Sequence, residues 1–357
     1  YLNLFDLYNL RFSLPYTKPL AIIKTDFPML FNDLIKKQAK DRIEIIDPNW
    51  VSYFPMMIDE ESFIRQVFYG QRFLIQNFHT ISECIFISNE VGLNPDLPQL
   101  LNLLNVKTGI LESKSDEKQQ NDLNFVWYSQ NESKMIITKG VSSKNWKAKL
   151  KEIILENPSS LPLIQINSSE YHHFYNSEML NNYVGPNLRS MVKYQIWDQS
   201  QYAENGQLSK LFKRFNRMIS QLGKWEPKIH FPAFPYYLVQ NHLLKESNVV
   251  FESLSKQAEV ASLISGLLGR EHFQAEFENS WREGLTLQET RLQRGNVSLE
   301  EIRDSFDTYM QLFRHLRSSI ENSCMNIGQV LRETTKQHFF TVLNTLGWQR
   351  TGYIIIS

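Results

Sequence analysis

Seven apolar residues, Leu299, Ile302, Phe306, Tyr309, Phe313, Leu316 and Ile320, recur at alternating spacings of three and four. That period places them on one stripe of an α-helix, and a stripe so apolar must be covered. Ser298, with Glu301 three residues on, forms a capping box at its start, and Gly295 stops whatever helix precedes it. The stripe continues on a shifted register through Cys324, Ile327, Leu331, Thr334, His338 and Val342, with Gly328 as a weak point and Gly347 as a stop. The spacing predicts two helices or one kinked helix, about 45 residues and ~70 Å if straight, too long for one compact core to cover unaided. Phe and Tyr in the stripe suit a helical core better than a two-stranded coiled-coil seam.

The 357 residues allow two domains of ordinary size. Lys plus Arg equals Asp plus Glu at 38 each, so no bulk charge draws the chain to nucleic acid or an anionic membrane. Cys84 and Cys324 lie in separate apolar patterns and read as reduced core residues, which points to a cytoplasmic setting. No apolar run approaches the roughly 18 residues that span a bilayer. The chain opens on Tyr1 and closes on an apolar isoleucine run, as an excerpt of a longer protein would.

Before residue 170, runs of strand type alternate with helical patterns. Leu20–Lys24, Arg42–Ile46, Glu83–Ser88 and Leu161–Ile166 read as strands, and helices are expected from Pro28 and over Ser62–Phe78. Asn124–Tyr128 and Lys134–Thr138 flank a polar tip as a hairpin. The expectation is an α/β domain over residues 1–169, with a mostly parallel sheet and one hairpin. An irregular connection follows over 170–235, and an all-α helical bundle with long C-terminal helices over 236–357. Helices are expected at about Leu238–Leu268, stopped by Gly269, and about Glu271–Leu292.

Ligands of α/β sheets bind at the carboxyl ends of strands, so Asp26, Asp47, Asn89 to Gly92 and Asn167 to Glu170 are the positions to inspect. None is followed by a glycine-rich phosphate cradle. Ser88-Asn89-Glu90-Val91-Gly92 resembles a short piece of the cobinamide kinase family, but the phosphate-binding loop which that family requires is absent, and the five residues are taken as a chance match. Ser169 and His172 at a strand end are candidates for a nucleophile and base. Arg189, after Gly185-Pro186-Asn187 and near Gln195, is what a GTPase-activating protein would present. The row Lys210, Lys213, Arg214 and Arg217 is the densest positive face, read as a solvated helix surface. His172 and His173 cannot readily share one ion, so neither metal nor cofactor is expected.

Two functions remain. The favoured one is a regulatory or scaffolding protein whose helical half binds a protein partner, through Trp225, Phe231, Phe234, Tyr236 and Tyr237 in the proline-punctuated connection. A helix-mediated oligomer fits the same pattern. The alternative is an enzyme with its site at the strand ends, such as a transferase acting on a nucleotide-linked or phosphorylated substrate, or a GTPase-activating protein using Arg189.

Overall fold

The computed structural model describes residues 12–14, 16–40, 43–55, 57–87, 94–112, 124–142, 163–165, 195–197, 213, 216–217, 219–225, 241–270, 272, 274–295, 297–335, 342–346, 348–349 and 351. The chain divides into two compact units, Tyr1–Met56 with Gln66–Phe234, and Met57–Arg65 with Pro235–Ser357.

The first unit is α/β. Strand β1 (Phe12–Leu14) is followed by helices α1 (Lys18–Asp26) and α2 (Pro28–Ala39), then β2 (Ile43–Ile45), which pairs parallel to β1. Helix α3 (Glu60–Phe78) leads to β3 (Cys84–Ile87), α4 (Leu97–Leu103) and β4 (Thr108–Glu112). Next come β5 (Asn124–Tyr128), β6 (Lys134–Ser142), β7 (Leu163–Gln165), β8 (Gln195–Trp197) and β9 (Gly223–Trp225). These form a seven-stranded sheet ordered β3-β4-β6-β5-β9, with β7 and β8 continuing from the far half of β6. Every pairing in it is parallel except β5 with β6, the expected hairpin. Strands β3 to β6 are nearly continuous hydrophobic runs, as sheets covered on both faces require, with Ile110, Phe125, Trp127 and Ile137 fully buried.

Leu20–Lys24, expected as a strand, lies inside α1, where Pro19 sits in the first turn with its φ already set for a helix. A five-residue apolar run has no period long enough to separate the two forms; only Leu20 of this helix is buried, and Ile22 is 45% exposed. Leu20, Phe31, Leu34, Ile43, Ile45, Leu74 and Phe78 join α1, α2, β2 and α3 in one apolar cluster.

The second unit is a helical region: α5 (His242–Leu267), α6 (Gln274–Leu287), α7 (Thr290–Gln293) and α8 (Leu299–Thr335). The capping box is formed as expected: the Glu301 N–H donates to Ser298 Oγ at 3.1 Å, and the Ser298 N–H donates to Glu301 Oε2 at 3.0 Å. Gly295 and Gly269 both take positive φ, 74° and 83°, where helices end. Helix α8 is a single helix of 37 residues that runs through Gly328, not two. Its stripe is buried at Tyr309, Phe313, Leu316 and Ile327, with Leu312, outside the expected stripe, buried beside them, while Leu299 and Cys324 are exposed. Cys324 is therefore no core residue, because the register shift past Ile320 turns it outward.

Candidate active site

Strand β2 ends at Ile45, and Pro48, three residues on, has no N–H to donate to a ladder. Just before it, Asp47 is completely buried. One carboxyl oxygen accepts the Asn49 N–H at 2.9 Å, closing an Asx turn, and the other accepts the N–H of Phe86 in β3 at 3.2 Å. The carboxyl thus fastens the tail of β2 to the edge of the seven-stranded sheet, near the carboxyl ends of both strands.

The loop beyond it is held equally closely. The carbonyl of Asn49 accepts both the N–H and the hydroxyl of Thr17, at 2.9 and 3.1 Å. Lys18 N–H donates to Trp50 O at 2.8 Å, Trp50 N–H to Gln66 O at 2.9 Å, and Val51 N–H to Gln66 Oε1 at 3.1 Å. The Tyr53 hydroxyl donates to Asn49 Oδ1 at 3.2 Å. Thr17, Asn49, Tyr53 and Gln66 are all buried. Such a network, once its members are paired, holds a single conformation.

Burial pushes the Asp47 carboxyl up to about 7, against the lowering effect of its bonds to the Asn49 and Phe86 N–H groups. The Tyr53 phenol is pushed well up by burial and then by the charges of Asp47 and Tyr16. A carboxyl that changes protonation near neutrality is the state a general acid needs. Folding also binds a proton here. The unfolded carboxyl ionises near 3.8, so the contribution is fully present below that pH and is lost as pH rises through about 7. Between pH 5 and 8, Asp47→Asn should therefore gain roughly 2 to 3 kcal/mol relative to the parent in denaturant melts. Parallel pH profiles for the two proteins would show that the native carboxyl is not perturbed.

Of the other sequence candidates, Asp26 is the exposed last residue of α1, not the end of a strand. Ser169, His172, Arg189, Phe231, Phe234, Tyr236 and Tyr237, and the strand-end segments Asn89 to Gly92 and Asn167 to Glu170, lie outside the described residues. Trp225 is the last residue of β9, and Gln195 the first of β8. Asp47 is thus set among partners that the sequence reading had not named: Thr17, Asn49, Tyr53, Gln66 and Phe86. The signal was the buried-type run Trp50-Val51 with polar neighbours directly after Asp47-Pro48. Among the described residues, no three His, Cys, Asp or Glu side chains converge as a metal ligand set.

The second unit holds another polar cluster. Glu252 Oε1 accepts the Asp59 N–H at 3.1 Å, the Asn248 amide at 3.2 Å and the Gln288 amide at 3.1 Å, and Gln288 also reaches Ser62 Oγ at 3.1 Å. Burial, then the charge of Asp59, raises the Glu252 carboxyl. Arg65 bonds Glu61 at 2.6 Å and Glu259 at 2.7 Å and lies 4.2 Å from the Trp281 ring centre. These groups satisfy one another, so the cluster is a fastening between α5, α6 and the first turn of α3.

A mostly parallel α/β sheet with a buried carboxyl at its strand ends can host many functions, and the sequence says to which family it belongs. It matches the Glycosyl hydrolases family 38 N-terminal domain over residues 9–229, and the chain belongs to that family. Alpha-mannosidase G of Dictyostelium discoideum is 25% identical over 153 residues, 41% of this chain and 14% of its own. An alpha-mannosidase from Enterococcus faecalis V583 superposes with a TM-score of 0.66 at 14% identity, covering 92% of this chain and 39% of that one. A second Enterococcus faecalis protein of glycosyl hydrolase family 38 gives 0.65 at 14% identity, covering 91% and 37%. At this identity the structures establish the fold, and this chain spans well under half the length of the relatives it matches.

The regulatory or scaffolding reading is thereby corrected. The α8 stripe is covered within its own unit, where Tyr309 packs against Phe251 of α5 at 6.4 Å between ring centres and against Phe313 at 5.9 Å. Among the described residues, no helix is long and apolar enough to cross a membrane.

Proposed function

We propose that this chain is the sugar-handling part of a glycosidase that binds and hydrolyses α-mannosidic linkages. The family match over residues 9–229, which takes in the sheet and the loop after β2, carries the reading. The sugar is placed at the carboxyl ends of β2 and β3, the usual ligand position for open parallel sheets. Glycoside hydrolysis generally needs one carboxyl that can give a proton and a second on the other face of the scissile bond. Asp47 has the raised carboxyl that suits the first task. Being fully buried and bonded through both oxygens, it acts in the described conformation as a positioning residue for the loop of Asn49 to Phe54. The helical region is read as a bundle, which the joint packing of α5, α6 and α8 around Phe251, Trp281 and Tyr309 supports.

The test is turnover of 4-nitrophenyl α-D-mannoside by the purified chain, with the β-anomer and the α-glucoside as controls. Selective release from the α-mannoside is expected, and Asp47→Asn, matched in size, should lower kcat by about 100-fold with an altered pH profile. Absence of both turnover and saturable binding of the α-mannoside would overturn the proposal, and an Asp47→Asn variant of parental activity would remove Asp47 from it.

A further inference from the structure

The opposite end of the same sheet carries a cavity of about 700 Å³ that the glycosidase reading does not use. It opens at the amino ends of β3, β4 and β6, between the residues that precede β3, the flank of β2 and the turn before β9. Its floor is apolar: Ile46, Cys84 and Ile136 belong to one buried cluster, against which Ile219 packs. Its rim is polar and basic. Lys107 and Lys134 stand at the starts of β4 and β6, and Lys213, from the basic row noted in the sequence, lines the cavity with them. Ile219 packs on the floor, and Lys213 and Asn216 line the same cavity.

The charges do not cancel. Glu83 lies 4.0 Å from Lys107 Nζ, and Glu44, on the β2 side, is the second carboxylate lining the space. Against these two stand three lysines, and Lys134 and Lys213 make no ion pair with any described residue. Two ammonium groups without an ion pair among the described residues, on the rim of a cavity, suit a phosphate group. Gln38, Asn102 and Asn216 add amides that both donate and accept; the Asn102 amide nitrogen is already bonded to Lys134 O at 3.1 Å, which leaves its oxygen to accept. Amides of this kind suit hydroxyl groups. The volume falls in the range of small-molecule sites, roughly 300 to 1,000 Å³.

We propose that this cavity is a second ligand site, for the phosphate ester of a small saccharide, with Lys134 and Lys213 on the phosphate and the amides on the sugar hydroxyls. Its lining reaches Ile46, next to Asp47, but includes no residue of the loop Asn49 to Phe54, and the proposal stands whether or not the chain turns over α-mannosides.

The experiment titrates the purified chain at constant ionic strength with glucose 6-phosphate, glucose or inorganic phosphate, followed by calorimetry and by melting temperature. Glucose 6-phosphate should bind saturably and raise the melting temperature, with glucose and inorganic phosphate each weaker by about tenfold or more. The double variant Lys134→Glu with Lys213→Glu should lose roughly tenfold or more in affinity for glucose 6-phosphate. Both side chains are exposed, so its ligand-free melting temperature should match the parent's. Lys134→Gln with Lys213→Gln should give an intermediate loss. The proposal is overturned if glucose 6-phosphate fails to bind, if inorganic phosphate binds as tightly, or if binding survives the charge reversal.

Discussion

Gly70→Ala should be the most damaging small substitution in the first unit. A Cβ at position 70 would stand 1.5 Å from the carbonyl oxygen of Pro48 and 2.6 Å from its carbonyl carbon. Both are backbone atoms, so no side chain can rotate away. The loop is fixed on its other side by the bonds of Asp47 and Asn49, and helix α3 is fixed by Leu74 and Phe78 in the apolar cluster. Relief would need the loop to leave α3, breaking the bonds from Trp50 and Val51 to Gln66. The expected loss is about 4 kcal/mol or more, large enough that the variant is recovered unfolded or with a sharply lowered Tm. A variant that melts with the parent would show that the loop does not press on α3.

Gly284→Ala is the counterpart in the second unit, with a different remedy. Its Cβ would lie 2.0 Å from Cζ of Phe251, and the ring is held by Trp281 in a T-shaped contact at 5.3 Å and by Tyr309. The obstacle here is a side chain, so the clash can be relieved by making the ring smaller. The single variant should lose about 3 kcal/mol, the upper end for overpacking a tight core. Adding Phe251→Leu should return part of that loss, although the same change alone destabilises. Strictly additive losses in the double-mutant cycle would mean that Gly284 matters for some reason other than room for Phe251.

How far the sequence revealed this fold depended on where the apolar signal was long. The stripe of α8 and its capping box were readable because seven apolar residues repeat at helical spacing beside Ser298 and Glu301. The hairpin of β5 and β6 was readable from two strand-type runs around a polar tip. The inward face of α5 was not legible as an apolar stripe: it consists largely of Ser247, Asn248, Glu252, Ser255, Ala258, Ser262 and Ser265, small or polar residues that a hydrophobic period does not register. Strand β4 escaped notice because Gly109 interrupts a short run, where the neighbouring Ile87 and Ile137 leave no room for a side chain. At the site, Asp47 was legible as a strand end. Its bond to Phe86 was not, because 39 residues separate the partners and nothing local to either announces the other. The family was equally out of reach of local motifs, since a site is assembled from residues far apart in the chain.

The order of strands in the sheet also governs how the chain can reach it. Strand β5 sits between two neighbours of very different cost: β6, a tight turn away, and β9, whose Gly223 pairs with Phe125 almost a hundred residues earlier. Closing a flexible loop costs about 0.6 kcal/mol more for each doubling of its length, so the second pairing starts roughly 2 kcal/mol behind the first. A three-residue strand returns few hydrogen bonds against that deficit. The hairpin can therefore form on its own, whereas β9 must wait until the sheet beside it is already in place. Until then, the outer edge of β5, with Phe125 and Trp127 on it, is an open strand edge, and the folding chain is most exposed to mispairing during that interval.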